Sequence, residues 1–403
     1  MNWIQFGRLI HSIYAHDGNL PDLDWIQKLG LLAVKLGQVH ALRIDFLERE
    51  KCEQLALLYR RNAALPTEQF LKLLTDSAGR DFLHNFDVIS ADALASASVG
   101  QVHRAKLVSG EEVVIKAIKR NARANFKKDV TSLRQLFRLA TLVYPPMKRA
   151  GDPVGILNDI EEYTLSELDL RNEVEGQREL RTIAESAQEK WDLSRLKFAH
   201  VYESLCDNNV MVSKFVRGPS FDELLDAREL KYEQLLDLFR IHGYFMFCRG
   251  IFHGDLHPGN VLTSDGNFYF IDTGYIGRVS VKTRIGLFDF FCALSEHDYS
   301  RCALTLNRMC GAPLKGAEFD NFATKFQELY ADFSDSTVAQ VSLTRKMMET
   351  IKLAARSGIT FEKGIFAIIR SLMYLDGMVL RCHPQAVLLR DMRPVLRDFA
   401  KVI

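Results

Sequence analysis

The stretch from Phe252 to Gly274 constrains this chain more than any other. Phe252-His253-Gly254-Asp255-Leu256-His257-Pro258-Gly259-Asn260 sets an Asp and an Asn five residues apart, and Phe270-Ile271-Asp272-Thr273-Gly274 supplies another Asp shortly downstream. Between them, Val261-Leu262-Thr263 and Phe268-Tyr269-Phe270-Ile271 read as two short strands. Ser264-Asp265-Gly266-Asn267 is their turn, because Asp-Gly accepts the positive φ of a tight hairpin. Such a hairpin presents Asn260 and Asp272 at its two ends as oxygen ligands for Mg²⁺. When bound with a nucleotide, that ion takes only one or two carboxylates from the protein. Asp255 is left to orient a nucleophile or to accept its proton.

The remaining totals narrow the class. A chain of 403 residues can bury two cores, and 47% hydrophobic with 26% charged residues is ordinary for a globular protein. Lys+Arg at 52 against Asp+Glu at 51 gives no argument for a nucleic-acid or polybasic membrane partner. Seven scattered Cys without a C-x-x-C pair read as reduced thiols, not as a disulfide frame or zinc site. The N-terminus has no basic segment followed by an apolar run, and no apolar stretch approaches the roughly 18 residues of a spanning helix. The expectation is a cytoplasmic protein, at most peripheral to a membrane.

Residues 1–64 carry helical periodicity throughout, with Leu29, Leu32, Ala33, Leu36 and Val39 on one face. An N-terminal amphipathic stretch (Trp3, Ile4, Phe6, Leu9, Ile10, Ile13, Tyr14) suits either a bilayer surface or packing against the rest of the protein, the latter being favoured. Composition alone reads Lys35 as a solvated charge and Gly37 as an allowance for close helix packing. A second helix is expected near Glu48–Arg61. After Leu65-Pro66, Thr67 or a neighbour caps a third. Leu94–Val102 is a small-residue loop entering a hairpin, Gln101–Leu107 and Glu112–Ile118, whose second strand carries Lys116. Glu161–Ile183 reads as one helix bearing Glu167, Asp169 and Glu173. Val210–Phe215 is a strand before the break at Gly218-Pro219, and Ser220-Phe221-Asp222-Glu223 fits a capping box. Beyond Gly277 the pattern is helical, around Lys282–Leu294, Asp298–Arg308, Glu318–Asp332, Leu343–Arg356 and Glu362–Arg381.

In this order the motifs resemble the UbiB family of atypical protein-kinase-like (ADCK-type) proteins, over nearly the whole chain. Lys35-Leu36-Gly37-Gln38, with Arg43 and Asp45 after it, resembles the family's K-x-G-Q and R-x-D segment. Ala95-Ser96-Ala97-Ser98, continuing through Val99 and Gly100 to His103, resembles the alanine-rich loop that replaces a glycine-rich one. Glu167-Leu168-Asp169 resembles E-x-D, and Glu173 the partner of the nucleotide lysine. His253-Gly254-Asp255, Asn260 and Asp272 resemble the catalytic and metal loops, and Ala367–Pro384 the C-terminal helix. The resemblance implies an α+β, protein-kinase-like bilobal fold. Residues 1–64 would form an N-terminal helical extension, 65–216 a small β-rich lobe and 217–403 a helical lobe.

It also implies roles. ATP or ADP with Mg²⁺ would be bound by residues 95–100, Lys116, Met211 and Ser213. Asp255, Lys116 and Glu173 would be catalytic, with Asn260 and Asp272 on the metal. Lys35 would turn inward to Glu167 and Asp169 and, with Gln38, gate the site against protein substrates. The expected activity is ATP hydrolysis or phosphorylation of a small or lipid-like molecule supporting isoprenoid quinone synthesis, with a lipid or phenolic quinone precursor as partner. Thr273 in place of the D-F-G Phe, and Gly254-Asp255-Leu256 in place of Ala-Asp-Pro, bring the loop closer to aminoglycoside-type small-molecule kinases. That is one alternative; a nucleotide-sensing pseudokinase scaffold is the other.

Overall fold

Glu112–Ile118 is rich in β-branched residues, and in the computed structural model it is a strand with Val113, Ile115 and Ala117 buried on one face. Described are residues 2–15, 18–41, 47–59, 64–119, 121–143, 153–187, 190–362 and 364–403. The chain divides into two units, Met1–Glu175 with Ala199–Phe215, and Gly176–Phe198 with Val216–Ile403.

In the first unit, β1 (Phe86–Ser96), β2 (Gly100–Leu107), β3 (Glu112–Ile118) and β4 (Val210–Lys214) form an antiparallel sheet in that order. Gly110, at φ 94°, closes the β2–β3 hairpin. One sheet face packs Val113, Ile115, Ala117, Val210 and Val212 against Phe70, Leu73 and Leu74 of a helix. The other face gives Ile118 and Met211 to a second core.

That second core is largely helical. It draws on α1 (Trp3–Tyr14), α2 (Leu23–Leu29), α3 (Leu31–Ala41), α4 (Arg49–Ala56), α6 (Ala122–Val143) and α7 (Pro153–Glu167); α5 (Thr67–Ala78) is the helix on the opposite sheet face. Leu9, Ile13, Ile26, Leu55 and Leu58 are wholly buried there, each burial being worth about 1.5–3 kcal/mol. The helices of residues 1–64, expected as an extension of their own, thus share a core with the sheet.

Three local expectations are corrected. The first helical stretch is interrupted at Gly30, whose φ of 107° suits glycine, so α2 and α3 are separate. Thr67 is not a cap: it is the first residue of α5, and its hydroxyl donates to the Ala91 carbonyl. Glu161–Ile183 is not one helix either. It breaks at Leu168-Asp169, where the Asp169 carboxylate accepts from the Arg171 N–H and the Asn172 side chain donates to the Ser166 carbonyl, before α8 (Leu170–Ala187) begins. A short acidic side chain that satisfies the following turn favours a helix start over continuation.

In the second unit, Ser220 and Glu223 make the capping box that opens α9 (Phe221–Ala227). After α10 (Tyr232–Gly243) come β5 (Ile251–His253), the hairpin β6 (Val261–Ser264) and β7 (Asn267–Phe270), and β8 (Ile276–Arg278), which pairs with β5. Asp265 and Gly266 both take positive φ in the turn. The helices α11 (Val281–Ser295), α12 (Tyr299–Met309), α13 (Gly316–Leu329), α14 (Leu343–Arg356), α15 (Ile365–Cys382) and α16 (Leu388–Phe399) complete the unit. An aromatic core joins Phe247, Phe291 and Phe399, with Trp191 stacked on Phe399 at 4.5 Å.

Asp376 of α15 is 3% exposed; its Oδ2 accepts from the Ser342 hydroxyl at 2.9 Å and the Thr344 N–H at 3.0 Å, while Oδ1 has no hydrogen-bond partner among the described residues. Burial pushes its carboxyl above the ordinary carboxylate range. A raised folded-state value means that the fold holds this proton more tightly than the unfolded chain does. The stability so conferred is fully present below the unfolded value and is lost as pH rises through the folded one. Asp376→Asn keeps an acceptor oxygen for both donors, so it should match or exceed the parent in urea unfolding at pH 8 and lose that advantage at pH 4. An equal deficit at both pH values would show that Asp376 is held ionised without penalty.

Candidate active site

Lys116 leaves the sheet on the face away from Val113, Ile115 and Ala117, opposite Met211 in the β3–β4 register. Its Nζ donates to Glu173 Oε2 at 2.6 Å, and both side chains are largely withdrawn from water. Glu173 stands in the first turn of α8, so the helix that starts at the Asp169 break aims it. Of the expected nucleotide loop, Ala95 and Ser96 belong to β1, and only Ala97, Ser98 and Val99 form the turn. The turn closes through the Ala97 N–H to the Gly100 carbonyl at 2.9 Å. A Cβ on Gly100 would lie 2.8 Å from the Ala117 carbonyl, which explains the one glycine there. Lys119 holds the turn from β3: its N–H donates to the Val99 carbonyl at 2.9 Å and its Nζ to the Ala97 carbonyl at 3.0 Å. Met211 is buried in the helical core, and Ser213 pairs with Val114.

Lys35 is 5% exposed, which overturns its reading as a solvated charge. Nζ lies 2.5 Å from Glu167 Oε2 and 4.8 Å from the Tyr163 ring centroid. The inward turn to both E-x-D carboxylates is corrected in part, because Asp169 is claimed by arginines. Arg171 holds it in a fork at 2.9 and 2.6 Å, and Arg123 lies 3.7 Å away. The Arg171 hydrogen bond keeps the Asp169 carboxyl below its ordinary value. Gln38 donates to the Leu58 carbonyl at 3.1 Å, and a Cβ on Gly37 would come 2.4 Å from the Leu58 side chain. Close packing of α3 on this segment thus accounts for both residues. Arg43 and Asp45 lie outside the described residues.

In the second unit His253 organises the loop. Its ring is fully buried, and burial pushes it below the ordinary histidine value, so it is neutral. Nε2 lies 2.9 Å from the Ile271 carbonyl and Nδ1 accepts from the Asp255 N–H at 3.2 Å, which together require the Nε2–H tautomer. One imidazole therefore ties Asp255 to the residue before Asp272. Asn260 Nδ2 donates to the Asp255 carbonyl at 3.0 Å, and the Ile271 N–H donates to the Asn260 carbonyl at 3.1 Å. Asn260 and Asp272 are thereby set side by side at the open end of the hairpin. Asp272 takes φ 55°, a left-handed conformation that Asp tolerates better than most residues. Thr273 is buried, and a Cβ on Gly176 would meet its carbonyl at 2.2 Å.

Three contributors stood inside motifs named from the sequence but had no individual role assigned there. Gly254 is required because a Cβ there would fall 2.3 Å from the Tyr275 ring. Arg370 and Tyr374 of α15 reach the loop: Arg370 Nη2 donates to the Gly254 carbonyl at 2.6 Å, and the Tyr374 hydroxyl to Asp255 Oδ1 at 3.0 Å. More than a hundred residues separate them from the loop; their sequence signals are their place in the Ala367–Pro384 segment and an i, i+4 spacing on a long helix.

The donor set fits magnesium. Among the described residues no group of three or more His, Cys, Asp or Glu could hold a metal ion alone. An Asn–Asp pair is what remains suitable for an ion that brings phosphate oxygens and water with it. The buried Lys35–Glu167 pair carries a separate expectation. Lys35→Ala strands a buried carboxylate and should cost about 3–5 kcal/mol in urea unfolding, whereas Lys35→Met with Glu167→Leu should recover most of that. A Lys35→Ala variant as stable as the parent would mean that the pair is solvated.

Residues 58–306 match the ABC1 atypical kinase-like domain. The chain is 28% identical over 393 residues to a probable protein kinase UbiB of Glaesserella parasuis, a match covering 93% of this chain and 69% of the relative. It is 27% identical over 390 residues to the protein of the same name in Cronobacter sakazakii, with the same shares covered. The solved complex of Rv3197 with erythromycin from Mycobacterium tuberculosis resembles it in fold, with a TM-score of 0.55 at 20% identity over 91% of this chain and 92% of that one. A domain match that takes in the Lys116, Glu173, Asp255, Asn260 and Asp272 segments, together with relatives aligned over 93% of this chain, places it in the UbiB family of ABC1 atypical kinase-like proteins.

Proposed function

We propose that this protein is a magnesium-dependent ATPase or small-molecule kinase acting on behalf of isoprenoid quinone synthesis. The observation that carries the reading is the complete polar set: Lys116 paired with Glu173 at 2.6 Å, and Asp255, Asn260 and Asp272 fixed around His253. A scaffold with no chemistry to perform has no use for the buried Glu173 and Asp255 carboxylates and a half-buried lysine in the motifs that phosphoryl transfer uses.

Lys116 contacts the α- and β-phosphates, and Glu173 fixes the reach of its ammonium. The Ala97–Val99 turn lies over the phosphates with little side-chain bulk. With its Nδ2 committed to the Asp255 carbonyl, Asn260 offers Oδ1 to the metal, and Asp272 offers its carboxylate. Magnesium bound there neutralises charge on the phosphate oxygens. Asp255 orients the attacking water or hydroxyl and takes its proton. Because phosphoryl transfer depends mainly on positioning and charge stabilisation, each of these groups acts by being held still.

Access is the second half of the proposal. Lys35, held by Glu167, fixes α3 within its own unit; by the family resemblance this K-x-G-Q segment gates the site against a protein chain and leaves water or a small, lipid-like phenol as acceptor. Trp3 and Ile4 on α1 are 69% and 57% exposed while Leu9 and Ile13 are buried, which supports a peripheral contact with the lipid phase. Among the described residues no helix is long and apolar enough to cross a membrane.

ATP turnover by the purified protein, with and without liposomes and quinone-precursor phenols, tests the reading. Asp272→Asn preserves shape and tolerates the left-handed backbone, so it should fold as the parent does and lose at least about a hundredfold in turnover. If it hydrolyses ATP as fast as the parent, the metal assignment is wrong. ATP binding without turnover under every lipid condition would favour the scaffold instead.

A further inference from the structure

The C-terminal helix α15 does more than fill the core. Arg370 and Tyr374 stand one turn apart on a single face and take hold of the Asp255 loop by two different atoms. Arg370 forks onto the Gly254 carbonyl, Nη2 at 2.6 Å and Nε at 3.2 Å, and its Nε lies 3.7 Å from Asp255 Oδ1. Its guanidinium also covers the Tyr275 ring at 5.2 Å, the ring that forbids a side chain at Gly254. The Tyr374 hydroxyl donates to Asp255 Oδ1 at 3.0 Å, and the Tyr374 ring meets His257 edge-on at 5.9 Å. Tyr374 and Asp255 are both buried.

The carboxylate torsion of an Asp is broad and roughly two-fold, so backbone placement alone does not aim its oxygens. A base that must meet a nucleophile within a few tenths of an ångström needs a second constraint. Here His253 and Asn260 fix the Asp255 main chain, and nothing in those bonds sets the side-chain rotation. Tyr374 does: a buried hydroxyl donating to Oδ1 selects one rotation.

We infer that Tyr374 is a positioning residue for the reaction, holding the Asp255 carboxylate in its working rotation while Arg370 locks the loop beneath it. This inference rests on the reading of Asp255 as the group that orients the nucleophile. It assigns the C-terminal helix a part in turnover and not in nucleotide binding.

Tyr374→Phe removes one oxygen and keeps the ring. In the full chain with MgATP it should lower kcat roughly tenfold to a hundredfold and leave KM unchanged, while the midpoint of thermal unfolding falls only by the few degrees that one lost buried hydrogen bond costs. In an Asp255→Asn background the same change should cost nothing further, because the partner it aims is gone. Arg370→Lys, which loses the fork but keeps a cation, should reduce kcat in the same direction. Asp255→Asn alone separates the two claims. If that variant turns over like the parent, the role of Asp255 falls. If it is dead while Tyr374→Phe matches the parent, or loses as much again in the Asp255→Asn background, the positioning role of Tyr374 falls. Faster turnover by Tyr374→Phe would also overturn it, since the hydroxyl would then be obstructing Asp255.

Discussion

Charge placed out of water has to be paired, and that constraint runs through the first unit. Lys35, Lys116, Glu167 and Glu173 are all largely withdrawn from solvent, and they form two ion pairs at 2.5 and 2.6 Å. An unpaired member of either set would cost several kcal/mol, so the elements that carry them are tied to one arrangement. The break at Leu168-Asp169 sits between the two glutamates: Glu167 ends α7, and Glu173 lies in the first turn of α8. A continuous helix would have set them six residues apart on one rod. The break, stabilised by Arg171 and Asn172, lets each glutamate follow its own helix to its own lysine.

The second unit solves a different problem, that of holding several polar groups in one place without charge compensation among them. It does so through neutral hydrogen bonds to the main chain. His253, kept neutral by burial, spans from the Asp255 N–H to the Ile271 carbonyl, and Asn260 returns to the Asp255 carbonyl. Each bond leaves a carboxylate or amide oxygen as the chemically active end. Arg370 and Tyr374 add constraint from outside the loop. Asp272 takes a left-handed backbone, kept there by the hairpin on one side and the close approach of the Thr273 carbonyl to Gly176 on the other.

Much of this could be read before any coordinates. The β6–β7 hairpin with its Asp-Gly turn, the capping box at Ser220, the Lys116 strand and the C-terminal helices all follow from local propensity and periodicity, which act over a few residues. What misled was equally physical. Periodicity across Glu161–Ile183 is unbroken because Asp169 occurs in helices as well as at their starts, and the side-chain bonds that decide the matter do not show in a pattern. The small-residue loop appeared longer than it is because Ala95 and Ser96 are compatible with either strand or turn. Composition read Lys35 as solvated because a lysine on a helix usually is; the family resemblance turned it inward, and its burial beside Glu167 agrees with that turn.

The sequence by itself determined which chemical groups are available and where along the chain they stand: one lysine on a strand, a glutamate near a helix start, and an Asp, an Asn and an Asp around a hairpin. Those are matters of spacing, and spacing of up to about ten residues is translated directly into local geometry. Only the tertiary structure decided which carboxylate each cation chose, that Asp169 belongs to Arg171 and not to Lys35, and that a tyrosine more than a hundred residues from Asp255 aims its side chain. Apart from Asp169–Arg171, which are two residues apart, these are long-range pairings. They are selected by burial, which no run of neighbouring residues can encode.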